Sequence, residues 1–459
     1  MKRVIRIKKG LDYLLNGEAE LKTSPLLSDY YAVSPDDFNL LIPTLKVQEG
    51  DNVKIGTTLF TSNKNPNLQF VSPISGTIHE IRRGAKRHIE AIIIKKNEDE
   101  VTEEIALPDV LNRNSILKTL LQYGMFPFFR QRPFDCIPNP DDVPKAIFIS
   151  GFDSAPLAPN YSYILKDKNE EFEKGLSIIQ HLTEGKIYLS LDISRNNSFF
   201  ENCPYVETYF FKGPHPAGNI GTQIHHIAPL KKGEIVWHID PWQITLIGTL
   251  FLHKKLEFKK IVPLCGSEII SPHYLEMTYG ASVENSLKNN IKQENIRIIS
   301  GNILTGKQMP CSGFVGFYDR QITVIAEGGK REFLGWLLPG LKKWSFSHTF
   351  LAFLFPKKHY SPHTSLQGSR RTLMLHDLYE RVFPFNILPA ELYKACVTRD
   401  IDLMENLGIY EITAEDFALC ELICPSKIEW QQTIQDALAY LHQETYNKFK
   451  YYEHIRQME

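Results

Sequence analysis

The sequence lacks any run of about 18 apolar residues, which is the minimum for a membrane-spanning helix. The longest apolar stretch, Ile244 to Leu252, ends at His253-Lys254-Lys255. The N-terminus alternates charged and aliphatic residues from Lys2 to Lys8, so it has no signal-peptide core and instead predicts an edge strand. We therefore expect a soluble chain without a transmembrane helix, whose link to any membrane runs through a partner.

The chain also lacks an excess of charge and a disulfide framework. Its 52 basic and 53 acidic residues give a net charge of -1, which gives no reason to expect nucleic acid or an anionic membrane surface as a partner. Seven scattered cysteines, an odd number, favour a reduced compartment. A length of 459 residues predicts about three or four domains of ordinary globular composition.

Several catalytic signatures are missing too: the sequence has no nucleophile elbow, P-loop, kinase motif or HExxH. His215, His225, His226 and His238 lie close together in sequence, but no carboxylate or cysteine completes a recognisable ligand set. We interpret them as loop and core histidines and predict no metal site.

What is present divides into four regions, and the fold class predicted from them is multidomain α/β and α+β. Residues 1–102 show short aliphatic stretches between Gly and Pro turns, and Ser72-Pro73-Ile74-Ser75-Gly76 resembles the barrel-sandwich fold of biotinyl and lipoyl carrier domains. Lys64 lies where those carriers hold their modified lysine. No Met flanks it, so we interpret it as a solvated lysine in a polar turn.

Residues 103–256 alternate strands with amphipathic helices, which predicts a parallel, Rossmann-like sheet. Asn114 is a candidate cap for the first helix, and Asp240-Pro241 supplies a cap and a first-turn proline for the last one. Residues 257–330 return to short strands around one helix, which suits a β-grasp, SLBB-like module. Residues 331–459 predict a helical domain.

A Gly-rich turn follows the predicted strand Tyr205 to Phe211 and carries Gly213, Gly218 and Gly221. Such turns can bind phosphate through bare backbone N–H groups. The spacing is not G-x-G-x-x-G, however, and Pro214 and Pro216 remove two donors. We interpret the turn as a degenerate nucleotide loop kept for packing; a working phosphate site is the alternative.

Cys420 and Cys424-Pro425 match the last two ligands of a bacterial ferredoxin run. Extending the pattern backward places Phe417 and Ala414 where the other two ligands would be. Two thiolates cannot hold a four-iron cluster alone. The pair is therefore interpreted as vestigial, with a cluster shared with a partner chain as the alternative.

The segment Gly124 to Phe134 is unusually aromatic and carries two arginines. A planar apolar headgroup such as a quinone needs aromatic walls and one or two donors for its carbonyl oxygens. Packing between domains, with the arginines at the surface, explains the same composition equally well. Both interpretations stay open at this point.

Together these motifs resemble the A-subunit family of the Na+-translocating NADH:quinone oxidoreductase (NQR), a bacterial respiratory pump. The resemblance extends over nearly the whole chain and is carried by the following segments: Ile7 to Asp12, Ser72 to Gly76, Arg83 to Arg87, Arg130 to Phe134, Gly213 to Gly218, Gly280 to Ser282, Arg297 to Gly301, and Cys420 to Pro425. More distantly the chain is similar to the electron-entry subunits of Rnf complexes and complex I. Residues 33–43 depart from the family pattern.

The resemblance implies a peripheral subunit on the cytoplasmic face of the bacterial inner membrane, bound to the other NQR subunits and above all to the membrane B-subunit. It implies quinone as substrate, with NADH, FMN, riboflavin and iron-sulfur centres on partner chains and no tightly bound cofactor here. It assigns quinone binding to the first domain and to Phe129, Arg130, Arg132, Pro133 and Phe134. The alternatives are an active flavoenzyme and a structural docking subunit.

Overall fold

The chain alternates short strands with turns and helices, and the computed structural model describes residues 3–328, 339–366, 368–374 and 377–458. Residues 331–338 of the predicted helical domain lie outside the described residues. The described strands are β1 (Val4–Arg6), β2 (Glu20–Pro25), β3 (Tyr30–Val33), β4 (Pro43–Leu45), β5 (Asn52–Val53), β6 (Thr58–Ser62), β7 (Gln69–Val71), β8 (Gly76–Arg83), β9 (Ile89–Lys96), β10 (Arg130–Arg132), β11 (Ala146–Ser150), β12 (Lys186–Asp192), β13 (Val206–Lys212), β14 (Val236–His238), β15 (Lys259–Cys265), β16 (His273–Thr278), β17 (Ile296–Ser300), β18 (Lys307–Met309) and β19 (Ile322–Ala326).

The α-helices of the described residues are α1 (Arg113–Gln122), α2 (Tyr161–Ile164), α3 (Asn169–Ile179), α4 (Ile220–Ile227), α5 (Pro241–His253), α6 (Glu284–Leu287), α7 (Pro389–Thr398), α8 (Ile401–Asn406), α9 (Ala418–Ile423) and α10 (Trp430–Met458). No described helix is both long enough and apolar enough to cross a bilayer.

The predicted multidomain α/β fold is confirmed, and its largest α/β unit is a six-stranded sheet in the order β1-β13-β12-β11-β14-β10. Its strands pair in parallel except β10, which runs antiparallel to β14 at one edge. The predicted edge strand β1 is confirmed, and it lies at the opposite edge of this sheet.

The first hundred residues form two small antiparallel sheets, β3-β9-β8-β5 and β4-β6-β7, as a barrel sandwich requires. A second six-stranded sheet, β18-β17-β19-β15-β16-β2, takes its edge strand β2 from the same N-terminal region. The boundaries at 102, 256 and 330 stay predictions, but β1 and β2 belong to sheets built mostly from later residues. These pairings connect the N-terminus to both of the larger sheets.

Local capping explains where several helices begin. Asp240 caps α5 with its side chain and Pro241 occupies the first turn, as predicted. The cap of α1 is Asn112, in a reciprocal pair with Ser115, so the prediction of Asn114 was wrong by two positions. Asn114 instead lies inside the first turn, because Asn112 N–H donates to Ser115 Oγ at 3.0 Å and Asn112 Oδ1 accepts from Ser115 N–H at 2.9 Å.

Two apolar cores organise these elements. The larger core joins the barrel sandwich, the parallel sheet and the β15–β19 region, and the second lies among the helices from Tyr379 to Leu441. Between the described residues 339 and 374 the only helical turn is the short 3-10 turn Leu351–Leu354. The helical character predicted for the last region is therefore concentrated after Tyr379.

Helices α3 and α5 pack at close range through a glycine on each. A Cβ on Gly248 would lie 1.7 Å from the Glu171 carbonyl oxygen, and one on Gly175 would lie 2.2 Å from that of Ile244. These two glycines therefore allow contact that any larger residue would prevent.

Gly248→Ala is expected to lower the free energy of unfolding by about 1–3 kcal/mol, because the added methyl group overpacks the helix contact. Chemical denaturation of the purified chain measures this change. Glu173→Ala, at an exposed position of α3, is the control and should change stability by less than about 0.5 kcal/mol. A stabilising effect of Gly248→Ala would contradict the close approach.

Candidate functional site

The aromatic segment singled out in the sequence folds into a 3-10 turn, Phe126–Phe128, followed directly by β10. Phe126, Phe128 and Phe129 are almost fully buried. The Phe129 ring lies 5.7 Å from that of Trp237, across the β10–β14 pair. The first role of this aromatic segment is therefore to fill the apolar core at the edge of the parallel sheet.

Arg132 is fully buried and connects the parallel sheet to the C-terminal helices. Its Nη1 lies 3.0 Å from Asp416 Oδ2 and its Nη2 lies 2.5 Å from Glu415 Oε1. Burial lowers the pKa of Arg132, but the two carboxylates raise it more, so the guanidinium stays charged. The Asp416 carboxylate also accepts a hydrogen bond from Thr413 N–H at 2.8 Å.

Arg130 projects from the same strand towards a different set of residues. Its Nη1 lies 3.0 Å from Asp135 Oδ2, and its guanidinium lies over the Tyr318 ring at 4.7 Å from the centroid. Burial raises the pKa of Asp135, but Arg130 and His238 lower it more. Burial in turn lowers the pKa of His238 to about 3, so the imidazole is neutral.

Pro133 and Phe134 lie where β10 ends. The Phe134 ring makes edge-to-face contacts with Tyr410 at 6.2 Å and His442 at 5.1 Å, both in the C-terminal region. The five predicted quinone residues are thus adjacent in the chain but face different surroundings. Arg130 borders a polar cavity with Tyr318 and Arg320, whereas Phe129, Arg132 and Phe134 pack within the protein.

The three glycines of the Gly-rich loop approach the protein's own atoms. A Cβ on Gly213 would lie 2.3 Å from the Ile7 carbonyl oxygen, one on Gly218 would lie 2.4 Å from Ser154 N, and one on Gly221 would lie 2.5 Å from Asp416 Oδ1. Packing therefore accounts for the requirement for glycine at each position.

The loop's donors are also engaged within the chain. Gly218 N–H donates to Ser154 Oγ at 2.8 Å, and His215 N–H donates to Asp12 Oδ1 at 2.9 Å. The His215 ring lies 3.0 Å from the same Ser154 hydroxyl, and burial lowers the pKa of this histidine to about 4.

Cys420 and Cys424 are buried in the second core. Phe417, at one missing ligand position, stacks on Trp430 at 5.8 Å and packs against Phe383 at 4.7 Å. Tyr379 Oη lies 3.2 Å from Cys424 Sγ. Aromatic rings thus occupy the surroundings of the two thiols, and no group of three metal-ligating side chains occurs in the described part of the chain.

A feature that the sequence did not reveal is an aromatic cavity at the meeting point of the barrel sandwich, the 124–128 turn and the β15–β19 region. Its enclosed volume is about 30 Å3, or about 470 Å3 when the open solvent at its mouth is counted, and its walls include Phe38, Phe70, Phe258, Tyr279 and Phe317. The Phe38 ring lies 4.6 Å from Phe70 and 5.0 Å from Phe317. Because these rings come from distant parts of the chain, no local pattern could have shown them.

Asp37 is the one carboxyl side chain among the described residues lining this cavity. Its Oδ2 accepts a hydrogen bond from Phe317 N–H at 2.8 Å. Burial, and then the charge of Asp319, raise the pKa of Asp37 to about 6, although the Phe317 hydrogen bond opposes the shift. The cavity therefore places a carboxyl group that changes charge near neutral pH beside a cluster of aromatic rings.

The loop that contributes Phe317 is fixed by a buried lysine. Lys260 Nζ donates to the carbonyl oxygens of Gly316 at 2.8 Å and Asp319 at 2.9 Å. The Ser300 hydroxyl donates to Asp319 Oδ2 at 2.5 Å and accepts from Gly316 N–H at 2.9 Å. Because both ends of the loop are bonded, the cavity wall is held in place before any ligand arrives.

Family models match three regions of the chain. They are described as the NqrA N-terminal barrel-sandwich hybrid domain at residues 5–97, the NqrA second alpha/beta domain at 111–256, and the NQRA C-terminal domain at 261–310. These matches confirm the predicted barrel-sandwich and α/β architecture.

Curated relatives match almost end to end. The A-subunit of the Na(+)-translocating NADH-quinone reductase from Yersinia pestis bv. Antiqua is 34% identical over 448 residues, covering 96% of this chain and 100% of that protein. Its counterpart from Rhodopirellula baltica is 33% identical over 452 residues, with 96% and 98% covered. A solved NAD+-reducing [NiFe]-hydrogenase covers 71% of this chain and 60% of its own at a TM-score of 0.38 and 10% identity, too low to support an argument.

Arg132→Ala is expected to lower the free energy of unfolding by about 3–5 kcal/mol, because it leaves two buried carboxyl groups without their cation. Equilibrium denaturation measures the loss. Arg82→Ala is the control, since Arg82 pairs with Glu80 at the exposed surface, where a salt bridge contributes about 1 kcal/mol or less. Equal losses in the two variants would contradict a structural role for the buried pair.

Proposed function

The chain belongs to the A-subunit family of the Na+-translocating NADH-quinone reductase, and from that premise we propose that it contributes a quinone-binding site to such a pump. In this proposal it acts catalytically as part of the assembled complex, which transfers electrons from NADH to quinone and exports Na+. The isolated chain supplies binding and positioning.

The observation that carries this proposal is the aromatic cavity beside Asp37. A quinone headgroup is a planar ring with two carbonyl oxygens, so it needs flat apolar walls and a hydrogen-bond donor. Phe38 and Phe317 supply aromatic walls, and Asp37 lies beside them. Gly124 and Pro127, from the aromatic segment Gly124 to Phe134, line this cavity, whereas the five residues predicted to bind quinone do not.

We further propose that the chain carries no flavin or iron-sulfur cluster of its own. The close approach of Gly213, Gly218 and Gly221 to protein atoms supports this, because it uses the space that a phosphate would need. The absence of a cluster is supported by Phe417, because its ring stacks on Trp430 at a position where a cluster would need a cysteine. FMN, riboflavin, the iron-sulfur centres and the NADH site are then assigned to partner subunits.

We place the chain at the cytoplasmic face of the inner membrane, bound to the other pump subunits and above all to the membrane B-subunit. An exposed apolar group formed by Leu351, Phe353, Leu354 and Phe355, each 44–59% exposed, supports a protein contact there.

A second candidate is a structural docking role, with quinone bound on the membrane subunits. The burial of Arg132 between Asp416 and Glu415 favours it, because this part of the predicted quinone segment stabilises the fold. Under this alternative, variants in residues 129–134 reduce assembly of the complex and leave quinone affinity unchanged.

The purified full chain is expected to be colourless, because flavins and iron-sulfur clusters both absorb visible light. An absorption spectrum measures this, with the assembled complex as the positive control. A flavin or charge-transfer band that persists at one equivalent per chain would contradict the assignment of cofactors to partners.

Val33→Phe is expected to weaken binding of a water-soluble short-chain quinone by roughly tenfold or more, because Val33 lines the cavity and the larger ring fills it. Quenching of tryptophan fluorescence gives the dissociation constant. Val110→Phe makes the same substitution at a position 68% exposed and outside the cavity, so it should bind like the wild type. Unchanged affinity in a folded Val33→Phe chain would reject this cavity as the site.

A further inference from the structure

We propose that the carboxyl group of Asp37, in its protonated form, donates a hydrogen bond to a carbonyl oxygen of the quinone headgroup, so that quinone affinity falls as pH rises. This inference rests on the proposed quinone site and adds to it a specific donor and a proton. A neutral carboxylic acid in an apolar site can serve as a hydrogen-bond donor, which a carboxylate cannot.

The position of Asp37 follows from the short 3-10 turn Pro35–Asp37 that comes after β3. Its neighbour Asp36 is exposed and pairs with His88 on the surface. Phe38, on the other side, enters the cavity wall. One turn thus separates two adjacent carboxyl groups, one towards solvent and one beside the aromatic rings.

The two oxygens of Asp37 have different surroundings. Oδ2 accepts a hydrogen bond from Phe317 N–H at 2.8 Å. It can do so whether the carboxyl group is protonated or ionised. No hydrogen bond between described residues occupies Oδ1, so this oxygen is available to carry the proton. The Phe317 N–H therefore orients the carboxyl group and leaves Oδ1 available to a ligand.

Two other polar side chains line the cavity. The Ser34 hydroxyl donates to the Glu90 carbonyl oxygen at 2.5 Å. The Tyr279 hydroxyl oxygen accepts from Gln243, and burial raises the pKa of this phenol, so it stays neutral. Asp37 is accordingly the side chain, among the described residues that line the cavity, whose donor is lost as pH rises through neutrality.

The charges around Asp37 oppose one another. Asp319, on the Phe317 loop, disfavours a second negative charge, whereas Lys260 and Lys307 favour it. Lys260 is engaged by the carbonyl oxygens of Gly316 and Asp319, so most of its hydrogen-bonding capacity holds the loop. Burial is the largest influence and favours the neutral carboxyl group.

The neighbouring phenol does not supply the same proton. Burial raises the pKa of Tyr318 well above its ordinary value, and its hydroxyl donates to the Pro127 carbonyl oxygen at 2.6 Å. It therefore remains neutral and bonded through the pH range in which Asp37 changes charge. Burial lowers the pKa of Lys260 to about 8, so Lys260 stays charged below about pH 7. A pH response between about pH 5 and about pH 7 in this cavity is therefore assigned to Asp37.

The direction of the effect follows from the raised pKa of about 6. Below that pH the carboxyl group is mostly neutral and can donate a hydrogen bond. Above it the protonated fraction falls about tenfold for each pH unit. If only the neutral form binds, the dissociation constant should rise roughly 100-fold between about pH 5 and about pH 8. Binding above the pKa should also take up close to one proton per quinone.

The test titrates the wild-type full chain with a water-soluble short-chain ubiquinone analogue across this pH range. Asp37→Asn keeps an N–H donor but cannot ionise, so its affinity should vary little with pH. Asp36→Asn is the matched control and should keep the wild-type pH profile. Calorimetry in buffers of different ionisation enthalpy measures proton uptake on the wild type alone, so the test does not depend on any variant folding.

Saturable binding with the same affinity at both ends of the pH range, together with no proton uptake, would overturn the role of Asp37 and leave the quinone site standing. The absence of saturable binding at any pH would instead overturn the proposed function itself. A pH response that persists in Asp37→Asn would also contradict this inference, because another group would then carry the proton.

Discussion

One buried guanidinium group holds the edge of the parallel sheet against the C-terminal helices. Removing Arg132 from water is costly, and two carboxylates with good hydrogen-bond geometry offset that cost. Asp416 also accepts from Thr413 N–H and lies where a side chain at Gly221 would be. The same carboxylate therefore fixes β10, the 3-10 turn Ala414–Phe417 before α9, and the packing of α4.

The position of β10 has consequences for the residues before it. Once Arg132 is fixed, Arg130 lies over Tyr318 and the 124–128 turn lies under Phe317. On the other side of the cavity, Lys260 fixes the Phe317 loop by donating to two of its carbonyl oxygens. The aromatic cavity thus lies between two segments, one held by an ion pair and one by a buried lysine.

The sequence was sufficient for elements that local chemistry determines. The strand Ala146–Ser150 and the Asp240-Pro241 start of α5 follow from a short apolar run and a cap with proline. The pairing of β1 with β13 could not be predicted, because Val4 finds its partner Phe210 far along the chain and no local pattern connects them. Asn114 and Asn112 both fit a helix start, and the reciprocal bond with Ser115 selects Asn112.

The candidate site shows the same division. The aromatic and basic character of residues 124–134 is visible in sequence, but which side chains face a cavity depends on contacts with Tyr318, Asp416 and Tyr410. The cavity itself unites Phe38, Phe70 and Phe317, which no spacing rule connects.

A structure of the assembled complex with bound quinone tests the account most directly. It should show the headgroup against the aromatic wall of this cavity, with a carbonyl oxygen within hydrogen-bond distance of Asp37. Quinone bound only within the membrane subunits, with this cavity empty, would contradict it.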